Sequence, residues 1–105
     1  MVYELRTYRI PVGRMSDILN RFETITFDLF DRHSIQVVGF WTRTDVNELV
    51  YICKYESEEA MEKAWDAFRA DPDWIAARDK TEANGPIVDE VISHVLVPTA
   101  FSPMQ

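Results

Sequence analysis

Four stretches rich in β-forming residues and two with helical periodicity follow one another in the order β-α-β-β-α-β, and that order leaves few folds open. Val2 to Ile10 alternates and is expected to form a strand, ended by Pro11 and Gly13. Arg14 to about Arg32 places Met15, Ile18, Leu19, Phe22, Ile25, Leu29 and Phe30 at spacings of three and four, the stripe of an amphipathic helix. Asp17, Arg21, Asp28 and Asp31 fall largely outside that stripe. Ile35 to Arg43 and Leu49 to Tyr55 read as a second and third strand, joined by a polar Thr44 to Glu48 loop that suits a hairpin. Ser57 is placed to cap a helix whose first turn holds Glu58 and Glu59, and whose apolar face is Met61, Ala64, Trp65 and Phe68. Asp71-Pro72 breaks that helix and restarts a short one, which Asn84-Gly85-Pro86 stops. Ile87 to Val97 is the fourth strand, and Thr99 to Gln105 a tail.

These elements specify an α+β, ferredoxin-like domain over residues 1 to 105. A four-stranded antiparallel sheet carries both helices on one face. The other face should then be polar if it meets water. Instead, both alternating registers of the last three strands are apolar: Ile35, Val37 and Trp41 against Val38 and Phe40, then Leu49, Tyr51 and Tyr55 against Val50 and Ile52, then Val91, Val95 and Val97 against Val88, Ile92 and Leu96. Soluble monomers rarely expose an apolar patch of that extent. A second copy of the same face, related by a two-fold axis, is the simplest cover, so a homodimer is expected.

Composition narrows the partners. Eleven basic residues face 18 acidic ones, a net charge of −7, and the basic residues are scattered. Phosphate-driven binding to nucleic acid or to an anionic membrane is therefore not expected. The only cysteine, Cys53, cannot form an intrachain disulfide, which suits a reducing compartment. Glu4, Arg6 and Arg9 interrupt the apolar centre a signal peptide would need, and the uncharged Val91 to Gln105 run is too short and broken to span a bilayer. A cytoplasmic protein is expected.

The opening Tyr3-Glu4-Leu5-Arg6-Thr7-Tyr8, the segment Asn47-Glu48-Leu49-Val50-Tyr51 through Lys54-Tyr55, and the closing Leu96-Val97-Pro98-Thr99-Ala100-Phe101-Ser102-Pro103 together resemble the NIPSNAP family, within the dimeric α/β-barrel superfamily. The resemblance covers essentially the whole chain. It implies a ferredoxin-like protomer whose sheet packs on a partner's. It implies little about activity, because relatives in the wider superfamily include cofactor-independent monooxygenases, haem-handling enzymes and dehydratases. The chain departs from family members that carry histidine and tryptophan where Tyr51 and Cys53 stand, so roles of those residues are not carried over.

Chemistry-bearing candidates are few. No nucleophile–base pair, phosphate-cradling glycine loop or metal-ligand spacing is present, and no metal, haem or flavin is expected. Glu4, Arg6 and Tyr8 share one face of the first strand. Arg6 could pair with Glu90 across the sheet, or bind a carboxylate or enolate in a barrel cavity. His33 continues the first helix and is expected to favour its terminal carbonyls rather than to ligate a metal or haem. His94 lies within the fourth strand, where a polar ring on a buried face needs a partner. Trp65 and Trp74 read as packing anchors, and Cys53 as a small buried hydrophobe.

The first functional reading is a barrel that binds a small organic molecule, as a candidate cofactor-independent enzyme of monooxygenase or isomerase type. Its site is expected inside the protomer's half of the barrel, lined by Arg6, Tyr8, Trp41, Tyr51 and His94. His94 would be the general base and Arg6 would neutralise developing negative charge. The second reading is a structural or protein-interaction module. The third, an RNA-binding domain of the same topology, conflicts with the acidic balance and with the strand Glu48 to Glu56.

Overall fold

A computed structural model describes residues 1–105. Its strands are β1 (Val2–Arg9), β2 (Gln36–Thr42), β3 (Glu48–Tyr55) and β4 (Glu90–Leu96). They form one antiparallel sheet in the order β2-β3-β1-β4, the ferredoxin-like arrangement expected of the chain. Between β1 and β2 runs a helix in three stretches: α1 (Met15–Arg21), a π-helical stretch (Phe22–Thr26) and α2 (Phe27–Arg32). α3 (Glu58–Ala70) and α4 (Pro72–Thr81) separate β3 from β4.

The local signals act as the residues dictate. Ser57 Oγ accepts the Ala60 N–H at 3.0 Å, capping α3. Asp71 Oδ1 accepts the Asp73 N–H at 2.9 Å while Pro72 opens α4. Gly13 turns the chain out of β1 with φ of 81°.

Alternation divides the sheet into two faces. Across the helix-facing side run the rows Thr42–Leu49–Tyr8–Val91, Phe40–Tyr51–Arg6–Ser93 and Val37–Cys53–Glu4–Val95. Leu49, Tyr51, Cys53 and Tyr55 are buried there against Ile18, Phe22, Leu29 and Phe30 of the first helix and Met61, Trp65 and Phe68 of α3. Phe30 is central: its ring lies 5.3 Å from that of Trp65 and 5.1 Å from that of Phe68, both tilted edge-on. The open side carries Trp41–Val50–Thr7–Ile92 and Gly39–Ile52–Leu5–His94. At its far end Tyr3 O–H donates to the Gln105 carbonyl at 2.7 Å, so the tail folds back there, and Phe101 projects into solvent.

Two features depart from the simple periodicities. The β2–β3 register shifts between Val37 and Gly39, leaving Val38 as a bulge. The bulge reverses the faces of β2, so Val37 and Phe40 point to the helices and Trp41 to the open side, not Val37 with Trp41. In the first helix the π-helical stretch adds a residue to one turn and re-phases the stripe. Buried positions become Ile18, Arg21, Phe22, Thr26, Leu29 and Phe30, while Leu19 is 40% exposed. Arg21, expected outside the stripe, is inside it. No helix is long and apolar enough to cross a membrane.

Candidate functional site

Glu4 is the centre of a buried polar network. The strand period aims it at the helices, and burial then obliges it to find partners. Its Oε1 accepts from the Tyr55 hydroxyl at 2.8 Å and from Trp65 Nε1 at 2.7 Å. Its Oε2 accepts from Arg6 Nη1 at 3.0 Å and from Ser93 Oγ at 2.5 Å. Burial pushes the Glu4 carboxyl up, but the Ser93 bond, the Arg6 charge and the Trp65 and Tyr55 bonds outweigh it and hold the pKa below 4.5.

Arg6 links this carboxylate to two phenols. Its Nε donates to the Tyr51 hydroxyl at 2.8 Å, and Tyr51 and Tyr8 share a hydrogen bond at 2.7 Å. The guanidinium also lies over the Trp65 ring, 4.1 Å from its centroid. Burial works against the Arg6 charge, but the surrounding Tyr51, Tyr8 and Glu4 groups more than offset it and raise its pKa. Burial raises the Tyr51 and Tyr55 hydroxyls well above the usual phenol range, so both remain neutral donors.

The network opens on a cavity of about 240 Å³ between the helices and the β1–β4 end of the sheet. Arg6, Tyr8, Arg21, Trp65, Trp74 and Arg78 are among its walls. Arg21 reaches it from the re-phased first helix. Its Nη1 donates to Glu82 Oε2 at 3.2 Å, and its guanidinium lies 4.9 Å from the Trp74 centroid. A larger cleft of about 560 Å³ is lined by Asp28, Asp31, Ser34 and Gln36 with Phe27, Ile35 and Val37, and has no cation in its wall.

The expected site, on the barrel side of the sheet, is not formed: Trp41 and His94 lie on that open side, whereas alternation and register turn Arg6, Tyr8 and Tyr51 to the helices, where those three come together. His94 stands opposite Leu5, and Trp41 opposite Val50, both on the open side. The position opposite Arg6 is Ser93. His94 is therefore out of reach of the Arg6 cavity within the protomer, and the role of general base beside Arg6 is not available to it there. Arg6 does not pair with Glu90 either; Glu90 sits opposite Arg9 and pairs with it at 3.0 Å. Sequence reasoning placed Glu4 on the face of Arg6 but missed its part as the hub. The signal was a carboxylate two residues from an arginine on a face that must be buried. Arg21 was missed because the π-helical turn is silent in the periodicity.

His33 is fixed by a side chain rather than by terminal carbonyls: its Nε2 lies 2.6 Å from Asp71 Oδ2. Arg32 Nη1 donates to the same oxygen at 2.9 Å. The His33 bond, the Asp73 N–H and Arg32 hold the Asp71 carboxyl down at about 2, against a smaller opposing effect of burial. These contacts tie the end of the first helix to the α3–α4 corner. No group of three or more His, Cys, Asp or Glu side chains is arranged to hold a metal ion.

Solved structures share this architecture. A NIPSNAP domain protein from Burkholderia xenovorans is 27% identical, with a TM-score of 0.86 over 98% of this chain and 99% of its own. A NIPSNAP family protein of unknown function from Agrobacterium tumefaciens is 24% identical, with a TM-score of 0.87 over 100% of this chain and 94% of its own. A monooxygenase from the ActVA-Orf6 gene of Streptomyces coelicolor, solved with the ligand Nanaomycin D, shares the fold at 15% identity, with a TM-score of 0.63 over 94% of this chain and 88% of its own. No curated protein matches. The NIPSNAP family model matches residues 3–103. The chain belongs to the NIPSNAP family.

Proposed function

We propose that the protein binds a small organic molecule in the cavity between helices and sheet and acts on it without a cofactor, by chemistry that develops negative charge on the substrate. The observation that carries this reading is Arg6: a buried guanidinium held by Glu4, hydrogen-bonded to a phenol pair, at the wall of a cavity. A cation already oriented by its neighbours stabilises a forming enolate or phenolate without reorganising. Arg6 Nε donates to the Tyr51 hydroxyl, which shares a hydrogen bond with Tyr8 at the cavity wall, so the phenol pair carries the polarising effect of the fixed cation toward a bound substrate. The Streptomyces monooxygenase with its bound ligand supports the reading through its fold alone. A screen of small organic acids and phenols against the full chain, read by thermal shift and then by turnover, tests it. Ligands that stabilise the native protein but not its Tyr8→Phe and Arg6→Gln variants are expected. Ligands that protect all three proteins equally would overturn the site.

A second reading rests on the open sheet side. Trp41 is 52% exposed there and stands in one face with Val50, Ile52, Ile92 and His94. We infer that this side meets the same side of a second copy, giving a cytoplasmic homodimer, whether or not the protein is catalytic. Light scattering on the eluting protein should give twice the chain mass, and Ile52→Asp should halve it. A native chain that elutes as a monomer at micromolar concentration would overturn the dimer. Removing the residues after Thr99 should weaken the dimer if Phe101 reaches the partner.

A further inference from the structure

Two buried polar atoms, Arg21 Nε and Thr26 Oγ1, have no hydrogen-bond partner. Only Arg21 lines the Arg6 cavity. It is 5% exposed, and an unmet buried donor is costly, more so on a charged group. Its one carboxylate partner, Glu82, meets Nη1 and leaves Nε unpaired.

The rest of the lining has the same character. Arg69 and Arg78 stand in the cavity wall, and their own ion-pair partners are exposed neighbours: Asp66 at 3.7 Å and Asp79 at 3.4 Å. Four of the chain's 11 basic residues thus surround one cavity whose only acidic lining residue is Glu82, in a chain of net charge −7. Flat apolar surfaces complete it. Trp65 lies under Arg6, Trp74 under Arg21, and the Phe68 and Trp74 rings are 4.8 Å apart at 34°.

Resting on the small-molecule site proposed above, we infer that its ligand is a small planar carboxylate, one ring bearing an acid group, with the acid at Arg21 and the ring along Trp65, Trp74 and Phe68. A carboxylate matches the planar guanidinium fork, and Arg6, Arg21, Arg69 and Arg78 converge on the cavity with only Glu82 to oppose them. Glu82 beside the same guanidinium disfavours a doubly charged phosphate, since like charges repel at that range. The cavity, about 240 Å³, is smaller than the roughly 300–1,000 Å³ of sites for drug-sized ligands, which limits the ring count.

The test compares benzoate, its neutral isostere benzamide, and acetate, titrated into the full chain and followed through the indole N–H resonances. Trp41, on the opposite side of the sheet, serves as the internal reference. Benzoate should bind at least ~10-fold more tightly than either other probe, shift Trp65 and Trp74 and leave Trp41 in place. Arg21→Lys keeps the charge but removes the fork, and Arg78→Gln alters only the exposed rim. Each should weaken benzoate several-fold and leave benzamide unchanged. Benzamide binding as tightly as benzoate at Trp65 and Trp74 would overturn the acid while leaving the cavity as the site. No shift at Trp65 or Trp74 with any probe would overturn both.

Discussion

The Trp65 indole N–H donates to the Glu4 carboxylate at 2.7 Å, joining the face of α3 to the centre of the sheet through a buried polar bond. Trp65 is thus both a packing anchor and a donor. Removing the charge of Glu4 tests how far the network is an ion pair. In Glu4→Gln the buried Arg6 guanidinium loses its only carboxylate. The expected loss is about 3–5 kcal/mol, the size found when one member of a buried pair is removed. Urea denaturation measures it. A loss below about 1 kcal/mol would place Glu4 among ordinary neutral hydrogen-bond acceptors.

Acid should unfold the protein through Glu4 and Asp71. Both carboxyls are depressed in the fold, Glu4 below 4.5 and Asp71 to about 2. A depressed acid contributes stability that is present above its unfolded pKa and lost as pH falls through its folded one. The urea midpoint should therefore respond little to these two groups near neutrality and fall below about pH 4.5. Asp71→Asn should flatten the lower part of that curve.

Asp71→Ala removes a cap and a tether together. The Asp73 N–H loses its acceptor, and His33 and Arg32 lose their common anchor. Loss of the cap alone costs about 0.5–2 kcal/mol. Hydrogen exchange should quicken first at the start of α4 and the end of α2, with the sheet core less affected.

Cys53 should be inert in the native state. It is fully buried, and burial pushes its thiol up to about 12, so little thiolate exists at neutral pH. Labelling with iodoacetamide should follow global unfolding and accelerate in urea. Rapid labelling of the folded chain would contradict this.

Gly39 carries the Trp41 ring. A Cβ at Gly39 would approach Trp41 Cη2 to 2.7 Å. That atom is the far end of a half-exposed side chain and can yield, so Gly39→Ala should cost under about 1 kcal/mol while changing the Trp41 fluorescence. The double variant with Trp41→Ala should recover the loss.

The element order, both helix caps and the shared face of Glu4, Arg6 and Tyr8 in β1 were legible because each rests on a local rule: a period of two, a Ser or Asp before a helix, a proline after it. The inward register of β3 was not, because both of its registers are apolar. The faces of β2 were not. One bulged residue, Val38, inverts everything after it, and nothing in Gln36 to Thr42 marks which residue will bulge. Arg21 was hidden for the same reason in helical form, by a turn one residue wider than the rest. Alternation put Arg6 and Tyr8 on one face, and the β1–β3 register, which sets Tyr51 opposite Arg6, brought Tyr51 to them. The exclusion of His94 depended on the β1–β4 register, which sets Ser93 opposite Arg6 and which the single strands do not encode.

The four donors to Glu4 lie 2, 51, 61 and 89 residues away along the chain. β1 is central in the sheet and made first, yet its two neighbours, β3 and β4, emerge from the ribosome much later. Until then Glu4 lacks three of its four donors, and the strand lacks both of its sheet neighbours. The sheet can close only when residues near the far end arrive, which makes this a late-folding topology for its length. Its earliest segment tolerates that wait because it carries charges on Glu4, Arg6 and Arg9 instead of a continuous apolar run, the composition that protects an unpaired strand from joining a stranger.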